Sequence, residues 1–268
     1  MVARPKVMGI LNVTPDSFSD GGLFRDRENA VRRGILMAEE GAAILDIGGE
    51  STRPGASPVS LDEELERVIP VIEKLAKEVD IPISIDTYKP EVMREAVKHG
   101  ARMINDIKAL QMPGAMETAR ELQVPVCLMH MQGSPDNMQK APYYEDGVIA
   151  VLHHFFEERI EACVEAGVPR SQLLLDPGFG FGKTTRHNLE IIRHLESLKI
   201  FEVPILIGVS RKSSIGEILG GKLPQERLSG SLAMAVLAAV NGASILRVHD
   251  VKETVQAMVV VYACAGEE

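Results

Sequence analysis

Eight short apolar runs in this 268-residue chain each stop at a polar side chain that a hydrophobic core has no reason to hold. Ile10-Leu11 meets Asn12, Ile44-Leu45 meets Asp46, Ile83-Ser84-Ile85 meets Asp86, and Met103-Ile104 meets Asn105. Farther along, the run ending at Met129 meets His130, Leu173-Leu174-Leu175 meets Asp176, the run ending at Val209 meets Ser210, and Ile245-Leu246 meets Arg247. Carboxylates and carboxamides brought together can match the donors and acceptors of a heterocycle edge, and arginine can hold an anion.

The polar residues sort by neighbourhood. Asp86 and Asn105 end consecutive runs and, joined by Asp176, suit an aminopyrimidine-like edge. Asp176 opens the segment Asp176-Pro177-Gly178-Phe179-Gly180-Phe181-Gly182-Lys183-Thr184, which imitates two nucleotide motifs and satisfies neither. A P-loop needs glycine where Pro177 stands, and a dinucleotide fingerprint needs it where Lys183 stands. What remains is a carboxylate followed by a glycine-rich turn displaying two aromatic rings, with Phe181 available as an apolar wall. Asp46 precedes a Gly-Gly pair, so it is either part of the site or a cap on the backbone of the next loop.

Anion chemistry gathers later in the chain. Ser210-Arg211-Lys212-Ser213-Ser214 and Arg247-Val248-His249-Asp250 follow the seventh and eighth runs. Ser213 and Ser214 are expected to cap a short helix over 214–219 that stops at Gly220-Gly221. One anion would then sit near Ser213 and another near Arg247 and His249, with Arg211 read as a surface or salt-bridged arginine. The loop after Asn12 is dense in oxygen ligands, as is its counterpart from Glu50 to Gly55. Asn12 with loop carboxylates can bind Mg2+, which takes few protein ligands; ordinary turns are equally rich in Ser, Asp and Gly.

The elements that must position these groups are eight strands alternating with helices. Strands are expected at about 7–12, 43–47, 82–86, 102–106, 124–130, 172–176, 204–209 and 244–248. Helices fill the gaps, at about 27–40, 61–78, 90–98, 113–121, 147–166, 185–198, 224–240 and 251–264. Ser60 and Glu63 make a capping-box pattern, and Gly41, Gly100, Gly167 and Gly242 each fall where a helix ends. Long loops follow strand ends only, which marks one functional face. The expected fold is α/β: a (β/α)8 TIM barrel in one domain spanning 1–268, with its site at the C-terminal end of the strands. A doubly wound sheet would carry a glycine fingerprint after its first strand, and none is there. A net charge of −9 argues against nucleic acid, and no apolar stretch is long enough for a bilayer. Three cysteines without metal spacing and no signal segment give a cytoplasmic expectation.

Asn-Val-Thr-Pro-Asp-Ser-Phe-Ser-Asp-Gly-Gly (12–22), Asp-Ile-Gly-Gly-Glu-Ser-Thr-Arg-Pro-Gly (46–55), Asp-Pro-Gly-Phe-Gly-Phe-Gly-Lys (176–183) and Ser-Arg-Lys-Ser (210–213), in this order, resemble the dihydropteroate synthases over essentially the whole chain. That resemblance implies a transferase of folate biosynthesis that joins 6-hydroxymethyl-7,8-dihydropterin diphosphate to p-aminobenzoate and releases pyrophosphate. It implies pterin contacts from Asp86, Asn105, Ile107, Met129, Asp176 and Lys212, and catalytic roles for Asp86, Lys212 and Arg247. It assigns Thr52, Pro54, Phe181 and Ser213 to p-aminobenzoate. The diphosphate falls to Asn12, Arg53, Arg247 and His249, with Asn12 also at Mg2+. Asp16, Phe18, Asp20 and Arg53 would ride on mobile loops. A homodimer through the last helices and inhibition by sulfonamides follow from the same likeness, since loop 51–55 lacks the insertion of drug-insensitive relatives. Lys108 departs from the family, where a small residue is expected. The alternatives are a methyltetrahydrofolate–corrinoid methyltransferase-like barrel, a phosphate-handling barrel such as an aldolase, and a non-catalytic pterin-binding protein. The methyltransferase would not need the first two loops; the aldolase would want a lysine inside a strand; the binding protein would be expected to lose the diphosphate residues.

Overall fold

The computed structural model describes residues 4–14, 22–51, 55–135 and 137–266. Eight strands alternate with helices: β1 Lys6–Asn12, β2 Ile44–Gly48, β3 Ile83–Asp86, β4 Met103–Asp106, β5 Val126–Met129, β6 Leu173–Asp176, β7 Leu206–Ile207 and β8 Ile245–Val248. The helices are α1 Gly22–Glu39, α2 Leu61–Glu78, α3 Pro90–Lys98, α4 Ala115–Leu122, α5 Val148–Glu165, α6 Thr185–Arg193, α7 Ser213–Ile218, α8 Leu228–Val240 and α9 Val251–Cys264. All strand pairs are parallel, in the order β6-β5-β4-β3-β2-β1-β8-β7. A single parallel bridge, Leu175 to Ile205, joins β6 to β7 and brings the sheet round to a nearly closed barrel.

Alternation along each strand divides its side chains between two cores. Outward-facing Val7, Leu11, Leu45, Ile47, Ile83, Ile85, Ile104, Val126, Leu128 and Leu175 pack beneath the helices. Inward-facing Met8, Ile44, Met103, Cys127, Leu174, Leu206 and Ile245 form a separate apolar plug inside the barrel. Two residues farther along the same strands the inward positions turn polar: Asp46 after Ile44, Asn105 after Met103, Asp176 after Leu174 and Arg247 after Ile245. The plug is thus a floor, and the polar groups stand on it at the C-terminal mouth.

The helix ends show how locally the sequence is written. Ser60 accepts from the Glu63 amide at 3.3 Å, but Glu63 does not complete the box; its carboxylate pairs with Arg67 instead. Gly41, Gly100, Gly167 and Gly242 all hold positive φ after helices. The helix expected from 27 begins at Gly22, and the one expected over 185–198 stops at Arg193 and gives way to a 3-10 stretch, Leu195–Phe201. Two further segments depart from expectation. β7 pairs over two residues where six were expected, because Pro204 cannot donate at the seam and only its carbonyl joins, accepting from Leu175 N at 3.0 Å. The helix expected over 224–240 breaks at Arg227, preceded by one 3-10 turn that Pro224 opens. Arg227 uses the break to donate to the carbonyls of Lys222 and Arg211 at 2.7 and 2.9 Å.

Candidate active site

Four strands deliver a buried charge cluster to the barrel mouth. Asp46 is fully buried, and its Oδ2 accepts from Arg247 Nε at 2.5 Å and from Asn105 Nδ2 at 3.0 Å. Arg247 Nη2 donates to Asp86 Oδ2 at 2.6 Å, so one guanidinium spans two carboxylates. Burial pushes Asp86 up to about 7, against the downward pull of Arg247 and helped by nearby Asp46. Burial pulls Arg247 down, but Asp46 and Asp86 hold it above its ordinary value. Burial, then Arg247, brings Lys212 down to about 8. Asp46 does not cap the loop that follows it, which corrects one of its two sequence readings: its partners are the charged and amide groups of the mouth.

The glycine-rich turn is built to approach other backbone. Gly178 has φ +66°, and a Cβ there would stand 1.9 Å from the His130 carbonyl oxygen; at Gly182 it would stand 2.4 Å from that of Gln132. These contacts lay the β6–α6 loop directly on the β5–α5 loop. Lys183 fastens them. It is buried, and its ammonium reaches His130 Nδ1 at 2.9 Å, the His130 carbonyl at 3.3 Å and the Phe181 carbonyl at 3.0 Å, one acceptor for each hydrogen. Burial, then Lys183, brings His130 down to about 3, so its ring is neutral and free to accept. Burial pulls Lys183 itself to about 7. Sequence reading placed Lys183 in a false nucleotide motif and at the end of the 176–183 signature, and nothing in its local pattern reveals that the residue is buried. Of the two aromatic rings expected on display, Phe179 is buried in the outer core and only Phe181 reaches the mouth. Lys212 Nζ stands 4.3 Å from the Phe181 ring centroid, a cation–π pair.

Asp176 is buried and accepts from the Gly178 amide at 2.7 Å; burial raises its pKa and that hydrogen bond pulls it back. Met129 is its register partner on β5, and Met129 and Ile107 are both buried. Asp106 points outward from β4 and ties the amides of Lys108 and Leu110 at 2.7 and 2.8 Å, shaping the turn that carries Ile107 and Lys108.

On the anion side, Ser210 Oγ sits 3.0 Å from His249 Nδ1 and accepts from the His249 amide at 3.2 Å. Burial, then Arg247 and Arg211, brings His249 down to about 3. Arg211 is a salt-bridged residue: it adopts φ +58° and grips both oxygens of Asp250 at 3.0 and 2.5 Å, tying the β7–α7 loop to the β8–α9 loop. The serines do not cap α7. The helix starts one residue earlier than expected, with Lys212 at the N-cap and Ser213 exposed in the first turn. Ser214 points inward to accept from Asn188 Nδ2 at 2.9 Å, and Asn188 Oδ1 accepts from the Gly180 amide at 2.8 Å. Asn188 therefore joins the Phe181 turn to the start of α7.

Asn12 ends β1 beside Gly48, and its amide makes no hydrogen bond among the described residues. A Cβ on Gly48 would lie 3.6 Å from Asp86 Oδ2 and 3.8 Å from Asn12 Oδ1, so these two oxygens flank one spot. Glu50 is engaged elsewhere, with Lys89 Nζ at 2.6 Å, Tyr88 OH at 2.9 Å and the Val59 amide at 3.2 Å, pinning the base of the β2–α2 loop. Asp16, Phe18, Asp20, Thr52, Arg53 and Pro54 lie outside the described residues. A cleft of about 930 Å³ opens beside the mouth, between α6, α7 and the β5–α5 loop. Lys183 and Ser213 line it, but none of the buried carboxylates does, so the chemistry belongs to the mouth.

The pterin-binding enzyme family matches residues 8–249. The dihydropteroate synthase of Escherichia coli (strain K12) is 57% identical over 262 residues, 98% of this chain and 92% of its own length. The chain belongs to the dihydropteroate synthases. Two solved structures of this family agree in fold. The Yersinia pestis dihydropteroate synthase with a sulfonamide drug has a TM-score of 0.94 at 54% identity, covering 98% of this chain and 95% of that one. The Xanthomonas albilineans dihydropteroate synthase with 4-aminobenzoic acid has a TM-score of 0.94 at 55% identity, covering 99% and 95%.

Among the residues that resemblance to dihydropteroate synthases assigns to substrates, Asp86, Asn105, Arg247, Asp176 and Lys212 gather at one barrel mouth, with His249 and Asn12 at its edge. The resemblance did not draw in Asp46, Lys183, Asn188 or Glu50, which touch the assigned residues or their loops from behind. Gly178→Ala tests the stacked loops: the left-handed backbone alone costs about 1–2 kcal/mol and the clash adds to it. Thermal unfolding should show a clear drop, and an unchanged midpoint would contradict the packing.

Proposed function

We propose that the buried groups of the mouth divide the dihydropteroate synthase reaction among them. The chain condenses 6-hydroxymethyl-7,8-dihydropterin diphosphate with p-aminobenzoate to 7,8-dihydropteroate and pyrophosphate. Asn105, Asp176 and Asp86 meet the polar edge of the pterin, Met129 and Ile107 its flat faces, and Lys212 its remaining acceptors. Arg247 and His249, with Arg53, take the diphosphate. Phe181 and Ser213, with Thr52 and Pro54, frame p-aminobenzoate. Asp16, Phe18, Asp20 and Arg53 belong to loops that close over both substrates. The observation that carries this reading is the Asp46–Arg247–Asp86 cluster: a guanidinium and a buried carboxylate side by side at the mouth, one for each charge that bond cleavage separates.

The bond between the pterin methylene carbon and the diphosphate oxygen breaks first. Its electrons leave with the diphosphate, whose charge Arg247 neutralises, and the positive charge left on carbon spreads into the electron-rich pterin. Asp86, ionised, faces that charge, and electrostatic stabilisation of this kind is worth about 10²–10³ in kcat. The arylamine nitrogen then attacks the carbon and loses a proton to the departing diphosphate or to water; no protein nucleophile is needed. Asn12 fits a Mg2+ ligand, because it offers an unengaged hard oxygen beside Asp86 and the ion takes its other ligands from phosphate and water. When bound, the ion adds positive charge against the diphosphate.

Pyrophosphate release measured with both substrates tests the reading. Release that depends on p-aminobenzoate, a kcat roughly 10²-fold lower in Asp86→Asn, and a sulfonamide that raises the apparent KM for p-aminobenzoate without lowering kcat are expected. Full kcat in Asp86→Asn would sink it. The two shifted groups also set a pH profile. Asp86 must be charged, so kcat/KM for the pterin diphosphate rises with pH through about 7; Lys212 must keep its proton, so it falls again through about 8. A profile flat from pH 6 to 9 would contradict these roles.

Leu237 and Val240 on α8, with Val259 and Val260 on the adjoining α9, are exposed apolar side chains that support a homodimer through the last helices. Light scattering should give twice the 29.2 kDa chain mass for the wild type and a monomer for Val240→Glu/Val260→Glu; a monomeric wild type refutes it. No described helix is long and apolar enough to cross a membrane. Cys127, Cys163 and Cys264 are unpaired, which supports work in a reducing, cytoplasmic setting.

A further inference from the structure

Asp46 is the one charged group of the mouth cluster with no surface left for a substrate. It is fully buried, one side-chain layer above the apolar plug, and its Oδ2 receives Arg247 Nε at 2.5 Å and Asn105 Nδ2 at 3.0 Å. A carboxamide can present either its oxygen or its nitrogen to a neighbour, but an ionised carboxylate only accepts. Asp46 therefore claims the nitrogen of Asn105 and leaves the carbonyl oxygen on the other side. It acts on Arg247 in the same way. With Nε on Asp46 and Nη2 on Asp86, the guanidinium plane is fixed and Nη1 stays outside both pairings.

We propose that Asp46 is a positioning residue of the reaction: it sets the donor–acceptor polarity with which Asn105 meets the pterin edge, and it aims Arg247 so that one side grips Asp86 while the other is left for the diphosphate. This rests on the pterin and diphosphate roles given above to Asn105, Asp86 and Arg247. Asp46 acts through these side chains and touches no reacting atom.

The surroundings supply a graded test. Asp46 Oδ1 and Oγ of Ser84, its register partner on β3, both lack a hydrogen-bond partner. In Asp46→Asn the amide nitrogen takes the place of Oδ1, which has no partner to lose, so the remaining oxygen can still face Arg247 and Asn105. That variant removes the charge and keeps the acceptor, whereas Asp46→Leu removes both while keeping the same branched heavy-atom skeleton. Initial rates of pyrophosphate release by the full chain, with each substrate varied in turn, read the outcome. Asp46→Leu should lower kcat/KM for the pterin diphosphate roughly 100-fold and Asp46→Asn about 10-fold, with KM for p-aminobenzoate within about twofold of wild type in both. Asp46→Asn combined with Asn105→Ala should lose less than the product of the single losses.

Where Asp46→Leu does not fold, judged by its thermal melt, Asp46→Asn decides alone. An Asp46→Asn enzyme equal to wild type, an equal loss for both substrates, or multiplicative losses with Asn105→Ala would overturn the positioning role. A wild-type chain that releases no pyrophosphate would overturn the functional reading beneath it, whereas wild-type turnover with an unaffected Asp46→Asn would overturn the positioning role alone.

Discussion

One guanidinium shared by two buried carboxylates sets the terms for the rest of the mouth. Arg247 cannot be desolvated alone: stripping one partner from a buried ion pair costs about 3–5 kcal/mol. Asp46 and Asp86 cannot stand buried side by side without it. The three come from β8, β2 and β3, which β1 joins into one run of neighbouring strands, so the cluster forms only when the last strand has come back beside the first. Its net charge is negative, and this is the useful imbalance. Desolvation raises Asp86 to about 7, which leaves it poised between forms at the pH where a cationic transition state needs the charged one.

A second constraint is the two-residue period of the strands. Ile44 and Asp46, Met103 and Asn105, Leu174 and Asp176, and Ile245 and Arg247 each share one face of one strand. Floor and site are therefore the same column of side chains read two positions apart, and a slip of one residue would turn these polar groups outward. Precision at the mouth then follows from ordinary packing below it, because the plug fixes the height at which each polar group stands.

That arithmetic is also why so much could be read from the chain itself. An apolar run ending in a polar residue is a local signal, and repeated eight times it specifies the barrel, its direction and the mouth. Helix-ending glycines such as Gly100 and Gly167 carry equally local information. What stayed hidden depends on groups far apart in sequence. Nothing near Asp46 says that it will meet Arg247, 201 positions later. Lys183 looks like a motif lysine until the fold lays its loop on His130, and Asn188 is an unremarkable helix residue until α7 arrives beside it. Ser213 misled in the opposite direction: a good capping residue by type, it lies one position inside the helix because Lys212 already has extended backbone.

The buried Lys183 and the half-buried Lys212 show how the same physics yields different roles. Burial lowers both, Lys183 to about 7 and Lys212 to about 8. Lys183 has an acceptor for each of its three hydrogens, two of them backbone carbonyls, so it is satisfied whether or not a substrate is present. Lys212 has an aromatic face at 4.3 Å and the fields of Asp176 and Asp86, but no hydrogen-bond acceptor of its own among the described residues. A partly desolvated ammonium in that condition gains from any acceptor that enters the mouth. The difference separates framework from site more sharply than residue type does. At this mouth the groups sealed behind the surface and engaged with other side chains or backbone (Asp46, Lys183, Asn188) hold the architecture, and the groups left wanting (Lys212, Asn12 and the free side of Arg247) face the place where a substrate must supply what is missing.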